Sequence, residues 1–201
     1  MSYRKFTYTD LQEKLQLELR QADNMFADAK PIAASDWLIA ALERTKNYPK
    51  TSEKARSEML VFPILTDLIE NNKDFCTVYS GENLDADKKR GLNGECDYII
   101  SKKSMSIAIS TPIFTIIEAK RAQSIEQGIP QCVAQMVGAS IYNQKHKAPA
   151  TPIFGCVTFG EVWKFMKLDD HTVFIDSETY YLNEVPKILG VLQMILDFYK
   201  K

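Results

Sequence analysis

The sequence predicts an α/β protein in which one mixed β-sheet is covered by helices on both faces. Three observations carry this expectation. Apolar residues recur at helical spacing near the start, in the middle and at the end of the chain, and short β-type runs fill the stretches between. The most apolar short run, Ile113-Phe114-Thr115-Ile116-Ile117, suits a central strand buried on both faces. Composition is that of an ordinary globular chain, with 45% of its 201 residues hydrophobic and 25% charged. The 8 glycines and 8 prolines are scattered, so no linker divides the chain and a single domain over 1–201 is expected.

The first stretch reads as helical, with Leu11, Leu15 and Leu17 among Gln, Glu and Lys after Thr9-Asp10. Ser35-Asp36 caps a second helix through Leu42. Thr51 or Ser52 opens a third, whose apolar positions run from Met59 to Ile69, and Pro63 should kink or bound it. Residues 1–50 are therefore expected as a helical N-terminal extension, and 51–201 as the α/β core.

Beyond Asn71-Asn72 the period changes. Strands are expected at 75–79 and 97–100, separated by a polar, Gly-containing loop from Gly81 to Gly94, and another at 113–117. Ser106-Ile107-Ala108-Ile109 is read as an edge strand or an excursion. A long helix follows from Ile125 to about Tyr142, with Ala134, Gly138 and Ala139 letting it lie close to the sheet. Three strands come next, at 153–159, 162–168 and 172–175, joined by turns at Gly160-Glu161 and Asp169-Asp170-His171. Ile188, Leu189, Leu192, Ile195, Leu196 and Tyr199 make a closing amphipathic helix.

Charge and cysteine usage narrow the function classes. The net charge of −1 does not advertise a nucleic-acid binder, although short basic clusters occur at 88–90, 102–103, 120–121 and at Lys145 with Lys147. Four dispersed cysteines and two histidines make no zinc pattern. The cysteines read as small buried hydrophobes of a reducing cytoplasm. No apolar run reaches the length of a secretory signal or a membrane span. There is no Walker or Rossmann glycine loop, so no nucleotide cofactor is implied, and no GxSxG elbow.

Chemistry concentrates at the end of the most buried candidate strand. Glu118 and Lys120 stand two apart, so a strand points both side chains to one face. Burying them is costly unless they face a cleft or a metal. Asp97 opens another strand after Gly94-Glu95-Cys96, and adjacency of the two strands would bring two carboxylates and an ammonium together. Hard oxygen ligands beside a lysine suit Mg²⁺, which keeps most of its waters. The plain alternative is a polar strand exit, with Glu118 and Lys120 as a same-face ion pair and Asp97 bonded to the Gly94 turn.

These stretches resemble the PD-(D/E)XK, or restriction-endonuclease-like, nuclease superfamily. The likeness lies in GECDYII at 94–100, IFTIIEAK at 113–120, the glutamine-bearing QGIPQCVAQM at 127–136 and the acidic upstream helix TSEKARSEMLVFPIL at 51–65. It spans roughly residues 51 to 168 in the order the superfamily has them; Cys96 stands where many members have proline. The resemblance implies a Mg²⁺- or Mn²⁺-dependent hydrolase of phosphodiesters acting on DNA. Asp97 and Glu118 would be metal ligands and Lys120 the catalytic lysine. Gln131 corresponds to the helix glutamine, with Gln135 a second candidate. The upstream acid is Glu58 or Glu53; the apolar face of the helix favours Glu58, as a further metal ligand. A homodimer or a protein partner fits nucleases of this kind. The alternative function is a non-catalytic nucleic-acid-binding or protein-interaction module on the same scaffold.

Overall fold

The computed structural model describes residues 2–103, 107–120 and 125–200. Its strands are β1 (Glu18–Ala22), β2 (Cys76–Asn83), β3 (Glu95–Lys102), β4 (Ile113–Ala119), β5 (Ile153–Thr158), β6 (Val162–Asp169), β7 (Thr172–Asp176) and the two-residue β8 (Tyr180–Tyr181). They form one 8-stranded sheet in the order β1-β7-β6-β5-β4-β3-β2, with β8 beside β6. The β4–β5 and β1–β7 pairs are parallel and the others antiparallel, so the sheet is mixed as expected. All seven residues of the central β4 are buried.

The helices are α1 (Tyr8–Glu13), α2 (Asp36–Thr45), α3 (Glu53–Arg56), α4 (Phe62–Glu70), α5 (Ile125–Lys145) and α6 (Val185–Tyr199). One face of the sheet packs on α5 through Ile129, Cys132, Val133 and Met136. The other packs on α4 and α6 through Ile64, Leu65, Leu68, Ile188, Leu192 and Ile195. Serine hydroxyls cap the helices that the sequence marks. Ser35 accepts from Leu38 N at 3.1 Å and Ser52 from Ala55 N at 3.0 Å, each satisfying an otherwise orphan donor. In α1 the cap is Thr7, which forms a reciprocal capping box with Asp10.

Two prolines are accommodated by identifiable devices. Pro63 lies in the first turn of α4, immediately after a π-helical turn over Ser57–Val61, so the expected disturbance takes the form of a widened turn. Pro130 sits inside α5 and cannot donate to the Glu126 carbonyl one turn back. The Tyr8 hydroxyl from α1 donates to that carbonyl at 3.0 Å, so the freed acceptor is satisfied from outside the helix.

Several expectations are corrected. Residues 1–50 are not purely helical, because Glu18–Ala22 forms an edge strand on β7. Of the segment 106–109, Ser106 lies outside the described residues; Ile107 and Ala108 form a bend, and Ile107 is fully exposed. Strand β2 continues to Asn83 into the expected loop, and buried Leu84, Ala86 and Leu92 pin the remainder. Gly138 does not serve close approach of α5 to the sheet. A Cβ there would meet the Tyr3 hydroxyl at 2.2 Å, so its space is taken by a 3₁₀ turn, Tyr3–Lys5, near the N-terminus. The glycine that lets α5 approach a strand is Gly155 of β5, where a Cβ would meet Met136 Sδ at 2.3 Å. No helix among the described residues is long and apolar enough to cross a membrane.

Candidate active site

Strands β3 and β4 pair from Ser101↔Ile113 to Tyr98↔Ile117, and one more step of the same register sets Asp97 opposite Glu118. There the ladder gives way to side chains. Asp97 Oδ2 accepts the backbone N–H of Ala119 at 2.7 Å, which fixes that carboxylate at the end of β4. Lys120 leaves the strand tied by its own N–H to the Thr158 carbonyl of β5, at 2.7 Å.

Glu118 is only 2% exposed and is held by three side chains. Lys120 Nζ donates to Oε1 at 2.6 Å, Gln131 Nε2 donates to the same oxygen, and Gln135 Nε2 donates to Oε2 at 2.7 Å. Lys120 Nζ also donates to Gln131 Oε1 at 2.9 Å, closing a ring of three residues. Gln131 and Gln135 are one turn apart on α5 and so reach the same carboxylate. Gly128, a turn earlier, makes room for the lysine stem: a Cβ there would lie 3.0 Å from Lys120 Cγ and 2.6 Å from Val157 Cγ1. Sequence, helix spacing and glycine placement therefore converge on one buried polar cluster. Its one unpartnered atom, Gln135 Oε1, is a buried acceptor beside Glu118.

The electrostatics are those of carboxylates short of positive charge. The Glu118 pKa is raised to about 7: burial, and then the Asp97 charge, push it up, while Lys120 and the Gln135 hydrogen bond act against them. Burial also raises Asp97, opposed first by the Ala119 N–H and then by the charges of Lys120 and Arg4, while Glu53 adds to the rise. Lys120 thus points inward at the carboxylate, and its side chain is 16% exposed. The same-face ion pair of the plain reading is present, but buried within a wider network.

Asp97 opens onto a cleft of 390 Å³ bordered by Ala119, Arg4, Glu53, Ser57, Glu58 and Glu95. The π turn supplies Ser57, whose hydroxyl lies 2.6 Å from the Tyr98 hydroxyl. Both upstream acids border the cleft, with different surroundings. The Glu53 charge acts on Asp97, whereas Glu58 is 62% exposed and faces Lys54 at 3.8 Å. Among the described residues, the basic clusters at 88–90, 102–103 and at Lys145 with Lys147 do not border it. Arg90 borders a separate hollow with Gln144 and His171 near the C-terminal end of α5, and Arg121 lies outside the described residues. Among the described residues, the cations bordering the cleft are Arg4 and Lys54. Arg4 carries no sequence signal, because only the fold brings the N-terminus to β3.

Among the described residues no group of three or more His, Cys, Asp or Glu is arranged to hold a metal ion. A pair of carboxylates is nonetheless a fitting donor set for Mg²⁺, which takes few protein ligands. Asp97 retains one oxygen outside any hydrogen bond among the described residues, and the unpartnered Gln135 Oε1 adds a neutral hard acceptor nearby. The four cysteines are all buried and unpaired in disulfides. No protein-family model matches the chain, and comparison with curated proteins finds no match.

Proposed function

We propose that this chain is a metal-dependent nuclease of restriction-endonuclease-like fold that hydrolyses phosphodiester bonds of DNA, working in the reducing cytoplasm. The observation that carries the reading is the convergence of Asp97, Glu118 and Lys120 at the frayed end of the β3–β4 ladder, beside a cleft. Two carboxylates pressed together with a single ammonium make a site that favours a dication, and Asp97 with Glu118 would hold Mg²⁺ or Mn²⁺ there. Bound in that place, the ion supplies Lewis-acid charge and acidifies its water.

The chain's own groups supply the rest. Lys120 Nζ, a compact charge with three donors, orients the attacking water and offsets charge that builds on the phosphate. Gln131 positions both Lys120 and Glu118, and Gln135 fixes the second Glu118 oxygen. Of the two upstream acids, Glu53 has the closer electrostatic link to Asp97, and Glu58 remains a cleft residue able to bind a metal water.

The degree of Glu118 burial favours a second reading, a nuclease-like scaffold that binds without cutting. One experiment separates them. Supercoiled plasmid and single-stranded DNA are incubated with wild type, Asp97→Ala and Lys120→Ala in Mg²⁺, Mn²⁺ and EDTA. Cutting that needs metal and is lost in both variants is the expected result. No cutting on either substrate, with a melting temperature that metal leaves unchanged, would move the assignment to the binding module.

A further inference from the structure

The cleft is acidic and Lys120, the cation among the motif residues, is turned onto Glu118, so a polyanion brought to the cleft needs a further cation. Among the described residues Arg4 is exposed and makes no hydrogen bond or ion pair through its side chain. It borders both the 390 Å³ cleft at Asp97 and an adjoining hollow of 220 Å³ formed with Asn93, Gly94 and Glu95. The residue beside it is firmly anchored. Tyr3 is 1% exposed, its hydroxyl donates to the Leu84 carbonyl at 2.7 Å, and its N–H donates to the Asn93 carbonyl at 3.2 Å. The ring fills the space that Gly138 leaves open on α5. A guanidinium with no hydrogen bond among the described residues, whose charge acts on Asp97, thus borders the carboxylates beside a residue that is locked into the core.

We infer that Arg4 is a substrate-binding residue, clamping a backbone phosphate of DNA next to the one at the carboxylates, and that Tyr3 and Gly138 form its mount. This rests on the nuclease reading and adds to it the residue that draws the polyanion in. The chemistry favours the assignment: a guanidinium presents a planar fork of donors that matches phosphate oxygens. Its position between two adjoining hollows gives the strand a path past the site. It also gives the N-terminal segment, which the motif leaves without a role, a function in substrate capture.

The test is DNA affinity as a function of salt, by fluorescence anisotropy, followed by steady-state cleavage in Mg²⁺. Wild type, Arg4→Gln, Arg4→Lys and Gly138→Ala are compared, with circular dichroism to verify folding. Arg4→Gln is expected to weaken binding by about tenfold and to lower the slope of log affinity against log salt by about one, as loss of one phosphate contact does. Cleavage should lose in KM rather than in kcat. Arg4→Lys should retain the slope with part of the affinity. Folded Gly138→Ala, which keeps every charge, should reproduce part of the defect by displacing Tyr3. A wild type that binds and cuts DNA, with Arg4→Gln matching it in affinity and slope, overturns this inference and leaves the nuclease reading standing. A wild type that neither binds nor cuts DNA overturns both.

Discussion

The two faces of the sheet solve different problems. On the α6 side, aromatic and aliphatic residues fill the space against the sheet: Phe114 stacks on Phe75 at 5.2 Å and on Tyr199 at 4.3 Å, and Trp163 is fully buried against Phe165. On the α5 side, apolar packing stops at the β3–β4 end and a buried carboxylate, a lysine and two glutamines take its place. The first face gains stability from area removed from water. The second gives up part of that gain, because taking a charge out of water costs several kcal/mol even when it is paired. The proposed chemistry gives a reason to keep such a cluster, and Asp97, opposite Glu118, borders the neighbouring cleft.

The contrast is broken most severely from the apolar side. Phe114→Ala should destabilise by about 3–5 kcal/mol, because it removes a 1% exposed ring from two stacked neighbours and leaves a void under α6. Urea or thermal melts read the effect. A loss below about 1 kcal/mol would mean that this face is loosely packed and that the comparison between faces fails.

Next in size is the proposed catalytic arm. Lys120→Ala should lower metal-dependent cleavage by roughly 10²–10³-fold, the usual cost of one preorganised charge donor, with a smaller effect on folding. The asymmetry is the point: Phe114→Ala costs stability first, and Lys120→Ala costs turnover first. If Lys120→Ala unfolds the chain as readily as Phe114→Ala does, the lysine is a structural counter-ion and the site reading weakens.

A third effect sharpens the contrast through pH. The Glu118 pKa is about 7 in the folded protein against an ordinary value of 4.5. Between those values the folded state keeps a proton that the unfolded chain has lost, so the unfolded state binds fewer protons and stability falls as pH rises. Each unit of separation is worth about 1.4 kcal/mol. The raised Asp97 pKa acts in the same direction. In metal-free buffer the melting temperature should therefore be higher at pH 5.5 than at pH 8, and Glu118→Gln should reduce the difference. Mg²⁺ should restore stability at pH 8, where the carboxylates are ionised. A melting temperature that rises steadily from pH 5.5 to 8, with Glu118→Gln leaving the profile unchanged, would contradict the raised Glu118 pKa.

Much of this molecule is legible in the sequence because local and global preferences agree. Helices α2, α5 and α6 and strand β4 follow from caps and periodicity, and Asp97, Glu118, Lys120 and both glutamines from strand alternation and helix spacing joined to the resemblance. Where reading fails, the deciding contact is remote. Strand β1 is Glu-Leu-Arg-Gln-Ala, made largely of good helix formers with one aliphatic side chain; it is extended because β7 offers an open edge. At 107–109 the apolar alternation is misleading, since Ile107 projects wholly into solvent and no neighbouring strand pairs there. Arg4 lies ninety-three positions from Asp97, and no spacing rule spans that interval. Helical phase favours Glu58 over Glu53 in the sequence, whereas it is the Glu53 charge that acts on Asp97; the π turn over Ser57–Val61 alters the phase on which that ranking relies.

The smallest predicted effect concerns how the N-terminal segment supports α5. Tyr8 is 41% exposed, and its hydroxyl donates to the Glu126 carbonyl that Pro130 leaves without an intrahelical partner. Tyr8→Phe keeps the ring and removes this donor. Because water can reach the carbonyl, the cost should be about 1 kcal/mol, the net worth of an ordinary hydrogen bond. The effect should be local as well as small. Hydrogen exchange should quicken in the first turns of α5, the turns that carry Gly128 and Gln131, and remain unchanged in α6. That pattern would tie the N-terminal segment to the polar face specifically. Equal quickening in α6 would mean that Tyr8 supports the fold as a whole, and the division of labour between the two faces would lose its link to the N-terminus.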